Sequence, residues 1–103
     1  MEFLVRSENR LPPDTPAERR EELRAGERAR AMELRAAERA RAMDLRAAGV
    51  LKRLWRVPGR NATVGLYEAE DPAALHDALM SLPMAPWLDV SVEALATHPQ
   101  ERT

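Results

Sequence analysis

Apolar and polar residues alternate from the first position: Met1, Phe3 and Val5 stand against Glu2, Leu4 and Arg6. A period of two belongs to a strand with two unlike faces, so MEFLVR is read as a first strand. A loop, LPPDTP, follows and ends in a helix start, with Thr15 as N-cap, Pro16 at the first helical position and Glu18 completing a T-x-x-E capping box. From there to Ala48 the residues are good helix formers broken only by Gly26, and Gly49 supplies the left-handed residue that commonly closes a helix. At about 1.5 Å per residue, roughly 33 residues make a rod about 50 Å long. That is long for a small domain.

After Gly49, LKRLWRVPGR and NATVGLYEA read as two short strands joined at a Pro58-Gly59 turn. Asp71-Pro72 then caps a second helix through Ser81, with Leu75, Leu79 and Leu82 at helical spacing and Pro83 and Pro86 stopping it. A last strand alternates Leu88, Val90 and Val92 against Trp87, Asp89 and Ser91, and a polar tail lies beyond His98-Pro99. The order β-α-β-β-α-β predicts an α+β fold, a ferredoxin-like plait with both helices on one face of an antiparallel sheet. The first helix is unusually long, and residues 1–103 form a single domain.

The reason for that length is in the letters: ERARAMELRAA at 27–37 is followed by ERARAMDLRAA at 38–48, differing only at Glu33 and Asp44. Eleven residues are almost three helical turns, so the second copy advances by about 16 Å while its faces rotate by only about 20°. Solenoid repeats are longer and carry turns, so this is a lengthened helix, made by duplication or by engineering. A straight rod would overshoot the sheet by about 16 Å, and residues 50–54 would have to return almost fully extended. A looped-out copy or a changed subunit arrangement would relieve this. A continuous helix is favoured, because nothing between Glu27 and Ala48 breaks it.

Composition narrows the function. A formal charge of -1 gives no general attraction to nucleic acid or anionic lipid. No apolar run approaches a membrane span, and MEFLVRSENR lacks the order of a secretion signal, so a cytoplasmic location is expected. Without cysteine there is no disulfide, thiol nucleophile or zinc-thiolate site, and His76 and His98 lie far apart, which argues against a metal.

On a helical wheel Leu23, Glu27, Arg30, Leu34, Glu38, Arg41 and Leu45 form one stripe. Ala25, Ala29, Met32, Ala36, Ala40, Met43 and Ala47 form another roughly opposite, and Arg24, Arg28, Arg35, Arg39 and Arg46 line an edge between them. Two apolar faces suggest packing against the sheet and against another subunit. A carboxylate among leucines is a candidate general base, since desolvation raises its pKa towards the working pH. From periodicity alone, Glu27 with Arg30, and Glu38 with Arg41, read more simply as i,i+3 surface pairs. Trp55 and Arg56 could bind a planar acid, or serve as a core or interface residue and a surface charge. His76 reads as structural. Asn61, Thr63, Gly65 and Tyr67 share a strand face opposite Ala62, Val64 and Leu66; if the apolar side takes the helices, the polar set lines the open face.

Leu54-Trp55-Arg56, Gly59-Arg60, Leu75-His76-Asp77 and the run from Leu82-Pro83 to Asp89 resemble the muconolactone isomerase family. The likeness extends from MEFLVR to His98-Pro99 and becomes nearly gapless once one eleven-residue copy is removed. It implies a cofactor-free isomerase that moves a proton between two carbons of an unsaturated lactone, converting muconolactone to 3-oxoadipate enol-lactone, with a helix carboxylate as base. That carboxylate falls on Glu27 or Glu38, and its basic neighbour on Arg28 or Arg39, according to the copy. Substrate-binding candidates are then Arg28, Arg39, Trp55, Arg56, Asn61, Thr63 and His76. A family tyrosine and asparagine fall here on Asn61 and Thr63, which makes a related lactone or enone plausible as substrate, and Ala85 and Trp87 replace two family aromatics. The resemblance also implies a homodecamer. The alternative is a non-catalytic oligomeric scaffold whose lengthened helix has displaced the pocket.

Overall fold

The computed structural model describes residues 1–10 and 21–102, with side-chain positions for 1–10 and 29–101. The capping box at Thr15, the LPPDTP loop and the side chains of Glu27 and Arg28 lie outside the described residues. The elements are β1 (Glu2–Asn9), α1 (Glu21–Ala47), β2 (Leu51–Arg56), β3 (Ala62–Glu68), α2 (Pro72–Met80) and β4 (Leu88–Leu95), with short 3-10 turns at Ala85–Trp87 and Pro99–Arg102. All neighbours in the four-stranded sheet are antiparallel, in the order β2-β3-β1-β4. This is the expected plait.

The core lies on one face of the sheet. Phe3 and Val5 of β1 are its most deeply buried side chains, and Leu45 of α1, Leu75 of α2, Leu51, Tyr67 and Leu82 close around them. Both helices therefore cover the Phe3 and Val5 side, driven there by the apolar area they remove from water. Asp71 caps α2 as the sequence suggests, its Oδ1 accepting from the Ala74 amide at 2.8 Å.

The long helix is continuous, and its C-terminal end is the anchored one. The Val50 amide donates to the Leu45 carbonyl at 2.9 Å and the Gly49 amide to the Arg46 carbonyl at 3.1 Å, with Gly49 at φ 79. These are the paired bonds of a Schellman stop. Leu45 sits in the core at 4% exposure, whereas Leu34, one repeat earlier, is only half-buried, and Ala29, Arg30, Met32 and Glu33 are exposed. The expected stretched return through residues 50–54 is not needed. The helix is pinned at Gly49 and Leu45, so the described side chains of its second copy reach the core while those of the first are mostly exposed.

A bulge in β2 sets which side chains look inward. Leu51 pairs with Tyr67, but Arg53, not Lys52, pairs with Leu66, so Lys52 is the extra residue. Beyond it the alternation inverts: Leu54 and Arg56 share the side of Gly65 and Thr63, and Trp55 falls opposite beside Val64.

Candidate active site

An open cavity of about 1100 Å³ lies between the second repeat copy on α1, the β2–β3 hairpin and the segment after α2. Glu38 is the carboxylate on its wall. The side chain is half-buried, and its Oε2 accepts a 2.6 Å hydrogen bond from the Met84 backbone amide. One turn further, Arg41 Nε donates to Ser81 Oγ at 2.9 Å. The leucine stripe thus faces inward, with Glu38 and Arg41 fastening α1 to the end of α2 and the loop beyond it.

Two opposed effects act on the Glu38 carboxyl. Burial raises its pKa above the ordinary 4.5, and the Met84 amide, which favours the anion, pulls it partly back. The result is a raised value. Burial also raises the pKa of the Tyr67 phenol, and the charge on Glu38 raises it further, so the phenol stays neutral and able to donate.

Arg35, Arg39, Arg46, Arg56 and Arg60 all contribute to the cavity wall. Arg60 is held by Glu8, Nη2 to Oε1 at 3.2 Å. Among the described residues, Arg35, Arg39, Arg46 and Arg56 have no carboxylate partner. A cluster of unpaired guanidiniums around an open cavity is suited to an anionic ligand, since Arg presents a rigid fork matched to a carboxylate.

Of the residues singled out from sequence, Glu38, Arg39, Arg56, Asn61 and Thr63 meet in this cavity. Trp55 does not. The Lys52 bulge turns it to the opposite face of the sheet, where the Arg53 guanidinium stacks over its ring at 5.0 Å from the centroid. His76 does not either; it borders a separate groove of about 490 Å³ between α2 and β4.

The polar set on β3 is also corrected. Thr63, Gly65 and Tyr67 pair with Ser7, Val5 and Phe3 and so face the helices, while Val64 and Leu66 take the open side. Tyr67 decides this: a ring at 7% exposure brings more apolar area to the core than Val64 or Leu66 would. Sequence reasoning missed Ser7, Asn9, Tyr67 and the Met84 amide. The first two continue the period-2 face of Phe3 and Val5, a signal that was legible; a backbone amide leaves none.

The sequence model of the family described as Muconolactone delta-isomerase matches residues 1–37 and 32–101. Muconolactone Delta-isomerase 2 of Acinetobacter lwoffii is 39% identical over 98 residues, 95% of this chain and 91% of that protein. Muconolactone Delta-isomerase of Pseudomonas aeruginosa is 31% identical over 99 residues, covering 96% of this chain and 92% of the relative. A crystal structure of muconolactone isomerase superposes with a TM-score of 0.78 at 33% identity, covering 96% of this chain and 92% of that one. A 5-chloro-2-hydroxyhydroquinone dehydrochlorinase from Burkholderia phenoliruptrix superposes at 0.64 with 17% identity over 97% and 98% of the two chains, a likeness of fold alone.

Proposed function

The chain belongs to the muconolactone delta-isomerase family and is an isomerase, and from that premise we propose that it shifts a proton within a carboxylated unsaturated lactone, with Glu38 as the base. The observation that carries this reading is the half-buried Glu38 carboxylate, held by the Met84 amide on the wall of an arginine-lined cavity. Muconolactone or a close relative is the substrate class. It carries a free carboxylate for the guanidiniums to hold and a ring carbonyl that, through the conjugated C=C, makes the γ C–H acidic.

The chemistry needs no group beyond the chain's own. Glu38 removes a proton from the carbon made acidic by the conjugated carbonyl, and the electron pair moves into a dienolate with its charge on the carbonyl oxygen. The protonated Glu38 then returns that proton at the other end of the conjugated system. A raised pKa suits both steps, since the same group must accept and then release the proton near neutral pH. Arg39 and Arg56, with Arg46, hold the substrate carboxylate and favour the developing anion. Asn61 and Thr63 orient the ring.

We assign residues 27–37 as the additional copy and residues 38–48 as the one that stands in the active site. Supporting this, Leu45 of the second copy is buried in the core, whereas the described side chains of the first copy are mostly exposed. The chain acts as a homo-oligomer, to which the exposed Met32 of the projecting segment contributes an apolar surface.

Purified protein should isomerise muconolactone, followed by the change in its ultraviolet absorbance, and Glu38→Gln should lower turnover by about 100-fold or more while binding survives. The scaffold alternative would be favoured by no turnover of any unsaturated lactone in the wild-type protein.

A further inference from the structure

Tyr67 sits at 7% exposure in the core, yet it also lines the cavity that holds Glu38. Its hydroxyl has no hydrogen-bond partner among the described residues. Buried polar groups are nearly always paired, so an unpaired phenol on a cavity wall calls for an explanation.

The ring's direction supplies one. A Cβ on Gly65 would stand 2.7 Å from Cε1 of Tyr67 and 3.3 Å from Cδ1, so the hydroxyl-bearing end of the ring lies across Gly65. The side chain therefore runs back along β3 over Gly65, on the face that Thr63, another lining residue, shares. Glycine at position 65 leaves the room this requires: a methyl group there would collide with a ring edge that is itself enclosed. Glu38 lies close enough for its charge to act on the phenol.

We propose that Tyr67 is a further catalytic residue, whose hydroxyl donates a hydrogen bond to the carbonyl oxygen of the bound lactone as that oxygen becomes an enolate. This rests on the isomerase reading above. Glu38 loses its charge in the step in which the substrate gains one, so the negative charge moves from the carboxylate to the lactone oxygen. A neutral phenol already in place stabilises the charge there without giving up its proton. All proton transfer stays with Glu38, and Tyr67 ends the cycle as it began.

The test is Tyr67→Phe, which removes one oxygen and keeps the buried ring. Steady-state kinetics on muconolactone should show kcat reduced by about 100-fold, in the range found for deleting an oxyanion donor, with KM changed less than threefold and thermal stability maintained. A second readout does not depend on turnover: calorimetric binding of a ring-fluorinated 4-hydroxyphenylacetate, which offers a carboxylate and, above its phenol pKa, an oxyanion. Wild-type protein should bind the phenolate form about tenfold more tightly than Tyr67→Phe does, and the neutral phenol form equally. Unchanged kcat in an active Tyr67→Phe, or equal phenolate binding by both proteins, overturns the proposal. If the wild type turns over no lactone yet binds the phenolate more tightly than the variant, the oxyanion donor stands and the lactone reading fails.

Discussion

The Met84 amide points at the Glu38 carboxylate and donates to its Oε2 at 2.6 Å, across 46 residues of sequence. This contact fixes the rotamer of a half-buried acid and ties the second repeat copy to the segment after α2.

Glu38→Gln keeps the shape and the acceptor for Met84 but removes the basicity. A general base contributes about 10²–10⁴-fold, and kcat for lactone isomerisation should fall by that amount. Stopped-flow or steady-state absorbance measures it.

The pH dependence follows from the direction of the Glu38 shift. A base must be deprotonated, so kcat/KM should rise with pH through a midpoint above the ordinary 4.5. The stability effect has a definite sign. Because the folded-state pKa is raised, the protonated acid suits the fold better, and the stability this lends is full below the unfolded value and lost as pH rises through the folded one. Glu38→Gln should therefore match the wild type in thermal midpoint at pH 4 and below, and gain on it as pH rises towards 7.

Deleting residues 27–37 should leave an active protein. The remaining copy keeps Leu45 in the core, the Schellman stop at Gly49 and the contact from Glu38 to Met84. Lactone turnover should stay within about threefold of the full chain, and thermal unfolding should remain cooperative, since the side chains described in the removed copy are mostly exposed and surface changes cost little. A shift in oligomer size by light scattering would place the projecting helix at a subunit contact.

Gly65→Ala should disturb both core and site. Its methyl would press on the Tyr67 ring, an overpacking that costs about 1–3 kcal/mol. For a domain of this size each kcal/mol lowers Tm by about 4–8 °C. Differential scanning calorimetry reads the stability loss, and a parallel fall in kcat is expected as the ring is displaced.

Much of this was legible in the sequence because it depends on local rules. The alternation of MEFLVR, the Asp71-Pro72 cap, the Pro58-Gly59 turn and the Gly49 stop each foretold an element that the structure contains. The site was legible in part. Glu38, Arg39, Arg56, Asn61 and Thr63 meet in one cavity, yet the letters do not choose between Glu27 and Glu38, because eleven residues return each side chain to nearly the same helical face. Trp55 was misplaced because one bulged residue, Lys52, inverts the facing of everything after it in β2, and no pattern of apolar residues announces a bulge. The condition on the β3 face, that its apolar side takes the helices, is not met because the Tyr67 ring is a core residue that also lines the cavity.

The most direct test compares Glu27→Gln and Glu38→Gln in the same lactone isomerisation assay. Glu27→Gln should retain kcat within about twofold of the wild type, and Glu38→Gln should lose it by 100-fold or more, the scale expected for a general base. Full activity in Glu38→Gln, or a comparable loss in Glu27→Gln, would contradict the assignment of the second copy to the active site.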